Sequence, residues 1–120
     1  MENYKEVITR TIKELGIPAS VKCYHYARYA IELVVNDNAL MVAITSKLYP
    51  KIAKEFNTTP ASVERAIRHG IEIGWNRGNA DFANKLFGYT VDANKGNPTN
   101  SEFLFTIADY ISMEMKNNDR

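Results

Sequence analysis

Apolar side chains recur at three- and four-residue spacing along most of the chain, which is the period of an amphipathic helix. Tyr4, Val7, Ile8, Ile12 and Leu15 form a first stripe, which Gly16 and Pro18 bring to a stop. Val21, Tyr24, Ala27, Ile31 and Val34 or Val35 predict a second helix over about 20–35, broken by Asn36-Asp37-Asn38. A short third helix is expected over about 38–45, and Pro50 fits the first turn of a fourth over about 49–56. The fifth spans 59–77 and a sixth 80–87, the latter capped by Asn79 and closed by Gly88. Residues 89–98 hold one β-branched pair followed by Gly and Pro, and read as irregular. Thr99-Asn100-Ser101-Glu102 is a capping box. It opens a last helix to about Lys116 with Phe103, Leu104, Ile107, Ala108, Ile111 and Met115 inward, after which the final four residues should fray. The expected fold is all-α, a compact bundle of about six helices in one domain over 1–120, without repeats or linkers.

The 59–77 helix carries the most information. Thr59 can cap it and Pro60 suits its first position, where a missing N–H costs nothing. Advancing about 100° per residue from Val63 gathers Ala66, Ile67, Gly70, Ile71 and Gly74 on one apolar side. Ala61, Ser62, Glu64, Arg65, Arg68, His69 and Glu72 fall on the other. With the amphipathic segment before it (Ile52, Ala53, Phe56) and the turn Asn57-Thr58-Thr59, this makes a helix-turn-helix pattern. A helix held by one face and showing arginines on the other suits a DNA major groove. Gly70 and Gly74 each weaken a helix interior by about 1 kcal/mol relative to alanine. Their place on the inward side implies close approach of another helix, expected to be the first turn of the fourth or the last.

Composition adds constraints. The chain has 120 residues, 45% hydrophobic and 24% charged, which is ordinary for a globular protein. No apolar run approaches the length of a membrane span, and the charged start lacks a secretory core. A single cysteine, Cys23, excludes an internal disulfide and fits a reducing, cytoplasmic setting. The net charge of +1 decides nothing about nucleic acid. Its distribution says more: between Lys47 and His69 five Lys or Arg (Lys47, Lys51, Lys54, Arg65, Arg68) face two acids (Glu55, Glu64).

Catalytic chemistry finds no purchase. His25 and His69 are far apart in sequence, and Cys23 and His25 are two apart where helical metal ligands need three or four. The acids near Asp92 do not close a calcium loop. Glu64, Arg68 and Glu72 read as a surface ladder at i,i+4 spacing, and there is no phosphate loop or nucleophile elbow. The chain is read as a non-enzyme without metal or cofactor. Two readings of the arginines stay open. Arg65 and Arg68 either pair with Glu64, Glu72 or Glu55 on a solvated face, or reach guanine O6 and N7. Glu64 either accepts from a cytosine amine or holds an arginine in place. Lys47, Lys51 and Lys54 would lie along the backbone. The alternative from another class is a protein-interaction module using the same helix face.

The segments FNTT, VERAIRH, WNRGN, LFGYTV and PTNSEF, in this order and spacing, closely resemble the C-terminal effector domain family of stage zero sporulation protein A. The family is that of the response regulator, part of a two-component system, which starts endospore formation. The similarity runs from about Ile12 to Asp109. It implies a six-helix DNA-binding domain that activates or represses transcription, its recognition helix in the major groove of a TGTCGAA-like box. It implies head-to-tail dimers on tandem boxes, with Glu64, Arg65 and Arg68 reading bases. Lys47, Thr59 and His69 would contact the backbone, to which Lys51 and Ser62 are added as candidates. The region 78–92 would touch an RNA polymerase sigma factor. The family's receiver domain is missing, so Met1 is expected to begin a fragment freed from receiver inhibition. Three departures stand out: Ser62 where relatives carry Arg, glycine at 70 and 74 where they tend to carry Ala, and the divergent end DYISMEMKNNDR.

Overall fold

In the computed structural model, which describes residues 3–88 and 96–118, six α-helices are present among the described residues. They are α1 (Tyr4–Glu14), α2 (Lys22–Asn36), α3 (Tyr49–Glu55), α4 (Pro60–Arg77), α5 (Ala80–Phe87) and α6 (Asn100–Asn118). The irregular segment expected over 89–98 lies mostly outside the described residues, as do Asp119 and Arg120 of the tail. The expected third helix over 38–45 does not form as one unit. Asn38–Met41 is a 3₁₀ turn, and a π-helical turn over Ile44–Leu48 runs directly into α3. The reason is local: Asp37 caps the short turn by accepting from the Ala39 N–H at 3.2 Å. Leu40 and Leu48 are the buried residues of the two turns, one in each, and Val42 between them is exposed.

Helix boundaries follow from capping chemistry. Asn3 accepts from the Glu6 N–H at 2.9 Å to open α1. At its end Gly16 has φ +89°, and Ile17 N–H bonds Ile12 C=O at 3.4 Å while Gly16 N–H bonds Lys13 C=O at 2.9 Å. That is the Schellman pattern, in which a left-handed residue satisfies the last carbonyls. The same device ends α3, with Asn57 in the left-handed position at φ 53°. Thr58 N–H bonds Ala53 C=O at 2.9 Å and Asn57 N–H bonds Lys54 C=O at 3.4 Å. Asparagine tolerates that conformation better than other non-glycine residues, which sets the sharp angle of the helix-turn-helix. The capping box of α6 is reciprocal: Glu102 N–H donates to Thr99 Oγ1 at 3.1 Å, and Thr99 N–H to Glu102 Oε1 at 2.8 Å.

The core joins all six helices, with Ile12, Ile31, Leu48, Ile52, Val63, Ile67, Phe103 and Ile107 fully buried. Of the positions expected inward, Tyr4, Val21, Val35, Ala66 and Met115 are only partly buried at its edge. Trp75 lies 5.0 Å from Phe87 and 6.3 Å from Phe103 between ring centroids, so one aromatic cluster ties α4, α5 and α6 together. Close packing at Gly70 and Gly74 holds, but the neighbour is not the fourth or the last helix. Gly70 lies against Cys23 at the start of α2, and Gly74 against the turn Leu15–Ile17. A Cβ on Gly74 would come within 2.8 Å of the Leu15 carbonyl oxygen. Cys23 Sγ also sits 3.6 Å from the Ile67 carbonyl oxygen, to which it donates. Helix α4 is therefore seated on α2 and the turn after α1.

Candidate nucleic-acid interface

The exposed face of α4 begins at its cap. Thr59 Oγ1 accepts from the Ser62 N–H at 3.1 Å, and its hydroxyl lies 2.9 Å from Ser62 Oγ as donor. Arg65 Nη2 reaches the same Ser62 oxygen at 3.4 Å, the long end of hydrogen bonding. One turn on, Arg68 Nη1 pairs with Glu64 Oε1, with 55% and 35% of the two side chains exposed. A pair this solvated contributes little to stability. The contact uses one nitrogen of the guanidinium, and the Arg68 side chain stays more than half exposed.

Val63, Ile67, Gly70, Ile71 and Gly74 are buried behind this face, as the period requires, and Arg65, Arg68, His69 and Glu72 are exposed. The outward residues divide around the helix axis. Ser62, Ala66 and His69 border a groove against the start of α2, while Glu64, Arg68 and Glu72 border another against residues 97–101. Arg65 lies on the side of the groove against α2. Lys47 on the π turn and Lys51 and Lys54 on α3 are exposed, and Thr59 is exposed at the cap. The helix α5 covers the described part of the expected 78–92 surface; residues 89–92 lie outside it.

Two residues at this site gave no signal in sequence. Asn100, in the first turn of α6, donates from Nδ2 to the Glu64 carbonyl oxygen at 3.0 Å and to the Tyr49 hydroxyl at 3.1 Å. It thus links α3, α4 and α6 at the level of the Glu64–Arg68 pair. Burial raises the Tyr49 phenol above its ordinary value of 10.0 and the Glu64 carboxylate adds to this, while the Asn100 bond and Arg68 oppose it. The phenol therefore stays neutral beside the pair. Asn100 was visible only as part of a capping box, because nothing in spacing shows which carbonyl a side chain will reach across the fold.

Residues 8–111 match the family described as Sporulation initiation factor Spo0A C terminal. The chain belongs to this family. The match runs from α1 to α6 and takes in each helix named above. The Spo0A C-terminal family comprises sporulation-related DNA-binding effector domains, so DNA is the partner class of this chain. As a Spo0A C-terminal domain the chain is a DNA-binding regulatory unit. Among the described residues no helix is long and apolar enough to cross a membrane.

Proposed function

We propose that this Spo0A C-terminal domain is a cytoplasmic, sequence-specific transcription factor domain, one unit over 1–120, that lays α4 in the major groove of a TGTCGAA-like box. The observation that carries the reading is that Arg65 and Arg68 are exposed, with half-buried Glu64 paired to Arg68, on a helix anchored from behind by buried Val63, Ile67, Gly70, Ile71 and Gly74. Arg65 and Arg68 read guanine O6 and N7, and Glu64 accepts from a cytosine amine or holds Arg68 for its base. Thr59, Ser62 and His69 on α4, with Lys47 and Lys51 beside it, meet phosphates and set register without reading sequence. Ser62 is short and uncharged, and its hydroxyl already serves the Thr59 cap, so its phosphate contact is a hydrogen bond without the charge of an arginine. Tandem boxes recruit two copies head to tail, and the surface around α5 meets a sigma factor.

Fluorescence anisotropy on a TGTCGAA duplex and a scrambled duplex, at one stated salt concentration, tests this. Arg65→Ala and Arg68→Ala should each lose about 1–3 kcal/mol on the cognate duplex and relax its preference over the scrambled one. Unchanged affinity for both duplexes in either variant would remove that residue from base reading.

A further inference from the structure

The two grooves beside α4 differ in charge. The one against α6 mixes signs, with Glu64 and Glu72 beside Arg68. The one against α2 is bordered by Ser20, Lys22, Ser62, Arg65, Ala66 and His69, with no carboxylate in its lining. Lys22 is exposed and, among the described residues, makes no ion pair. Ser62 Oγ accepts from Thr59 and Arg65, which leaves its own proton free to donate.

Lys22 also sits where a cation is unfavourable. It is the first residue of α2, at the positive end of the helix dipole. The N-cap before it is Val21, which supplies no side-chain cap, and the first turn has no acid. The groove on this side of α4 gathers Lys22, Arg65 and His69 with no carboxylate to offset them, a lining suited to an anion.

We propose that Lys22 is a DNA-backbone contact, its ammonium and the His69 side chain taking a phosphodiester of the strand that borders the major groove on the α2 side. The proposal rests on the reading that α4 occupies the groove. It adds to that reading a second line of backbone contact, on the flank of α4 where Ser62, Ala66 and His69 lie.

Lys22→Gln and Lys22→Glu test it on the full chain, with duplex affinity measured from 50 to 200 mM salt and thermal unfolding measured without DNA. Lys22→Gln should weaken cognate and scrambled duplexes alike, about five- to tenfold near 0.1 M salt, and reduce the log–log salt slope by about one. Lys22→Glu should weaken both further while raising the unfolding midpoint of the free protein, because it now complements the dipole. A purely structural residue would move stability and binding in the same direction. An unchanged salt slope in Lys22→Gln, while Arg68→Ala still relaxes base preference, overturns the proposal and leaves the groove reading standing. A wild-type chain with no cognate preference removes both. A Lys22-dependent response to inorganic phosphate at matched ionic strength, without a change in salt slope on duplexes, marks a free-anion site and also overturns it.

Discussion

A methyl group placed on Gly70 would land on the Cβ and Sγ of Cys23 and 3.7 Å from its Cα. Carbon atoms pack best about 3.5–4.0 Å apart, so α2 and α4 would have to part by on the order of 1 Å. The Cβ of Cys23 is fixed to its backbone and cannot swing aside. Overpacking of this kind costs about 1–3 kcal/mol, and an immovable obstacle puts it toward the upper end. Gly→Ala in an open helix returns about 1 kcal/mol. The net expectation for Gly70→Ala is a loss of about 1–2 kcal/mol. In urea, where domains this size lose about 1–3 kcal/mol per molar, the midpoint should fall by roughly 0.5–1 M. Cys23→Gly removes both atoms of the obstacle, so the double variant should be more stable than the two single losses predict, by about 1–3 kcal/mol. A midpoint that rises in Gly70→Ala, or single effects that simply add in the double variant, would refute the close-packing account.

Three further outcomes are expected. Asn57→Ala forces a side chain without local hydrogen bonding into the left-handed region and should lower the Tm by a few degrees, about 1 kcal/mol, whereas Asn57→Gly should match or exceed the wild type in the same melt. Burial pushes the Cys23 thiol up to about 12 from 9.0, so iodoacetamide at pH 8 should leave it unmodified in the folded protein and modify it in urea, as read by mass spectrometry. Because the folded value is raised, the neutral thiol's contribution to stability is present below pH 9 and is lost as pH climbs toward about 12. Thr106 Oγ1 is buried and, among the described residues, has no hydrogen-bond partner, so Thr106→Val should raise stability by about 1 kcal/mol in urea denaturation; a loss would mean the hydroxyl is satisfied.

The helices were legible because their signals are local. Thr59, Asn79 and the Thr99–Glu102 box all cap as their types suggest, and the apolar face of α4 follows from the 3.6-residue period alone. The helix expected over about 38–45 is instead a 3₁₀ turn and the start of a π turn, each with one buried leucine, Leu40 and Leu48, which periodicity does not show. The glycines announced a close neighbour, but which neighbour is a tertiary fact. Cys23 faces Gly70 across 47 positions of sequence, and no spacing rule reaches that far. At the candidate site the outward placement of Arg65, Arg68 and Glu64 followed from the same period. The Asn100 bridge did not, since a side chain's partner 36 residues away is chosen by the assembled fold. Lys22 carried no mark, because the second helix was expected from about 20, and its place one residue after the Val21 cap and beside the groove is seen only in the fold.

The bond from Asn100 to the Glu64 carbonyl makes α6 the support of the exposed face of α4. Phe103, Leu104 and Ile107 close the interior from the last helix, so a nascent chain halted before that helix has synthesised its arginines but not the brace behind them. On the proposed reading, a chain cut short before α6 would therefore lack both the closing wall of its core and the support behind Arg68.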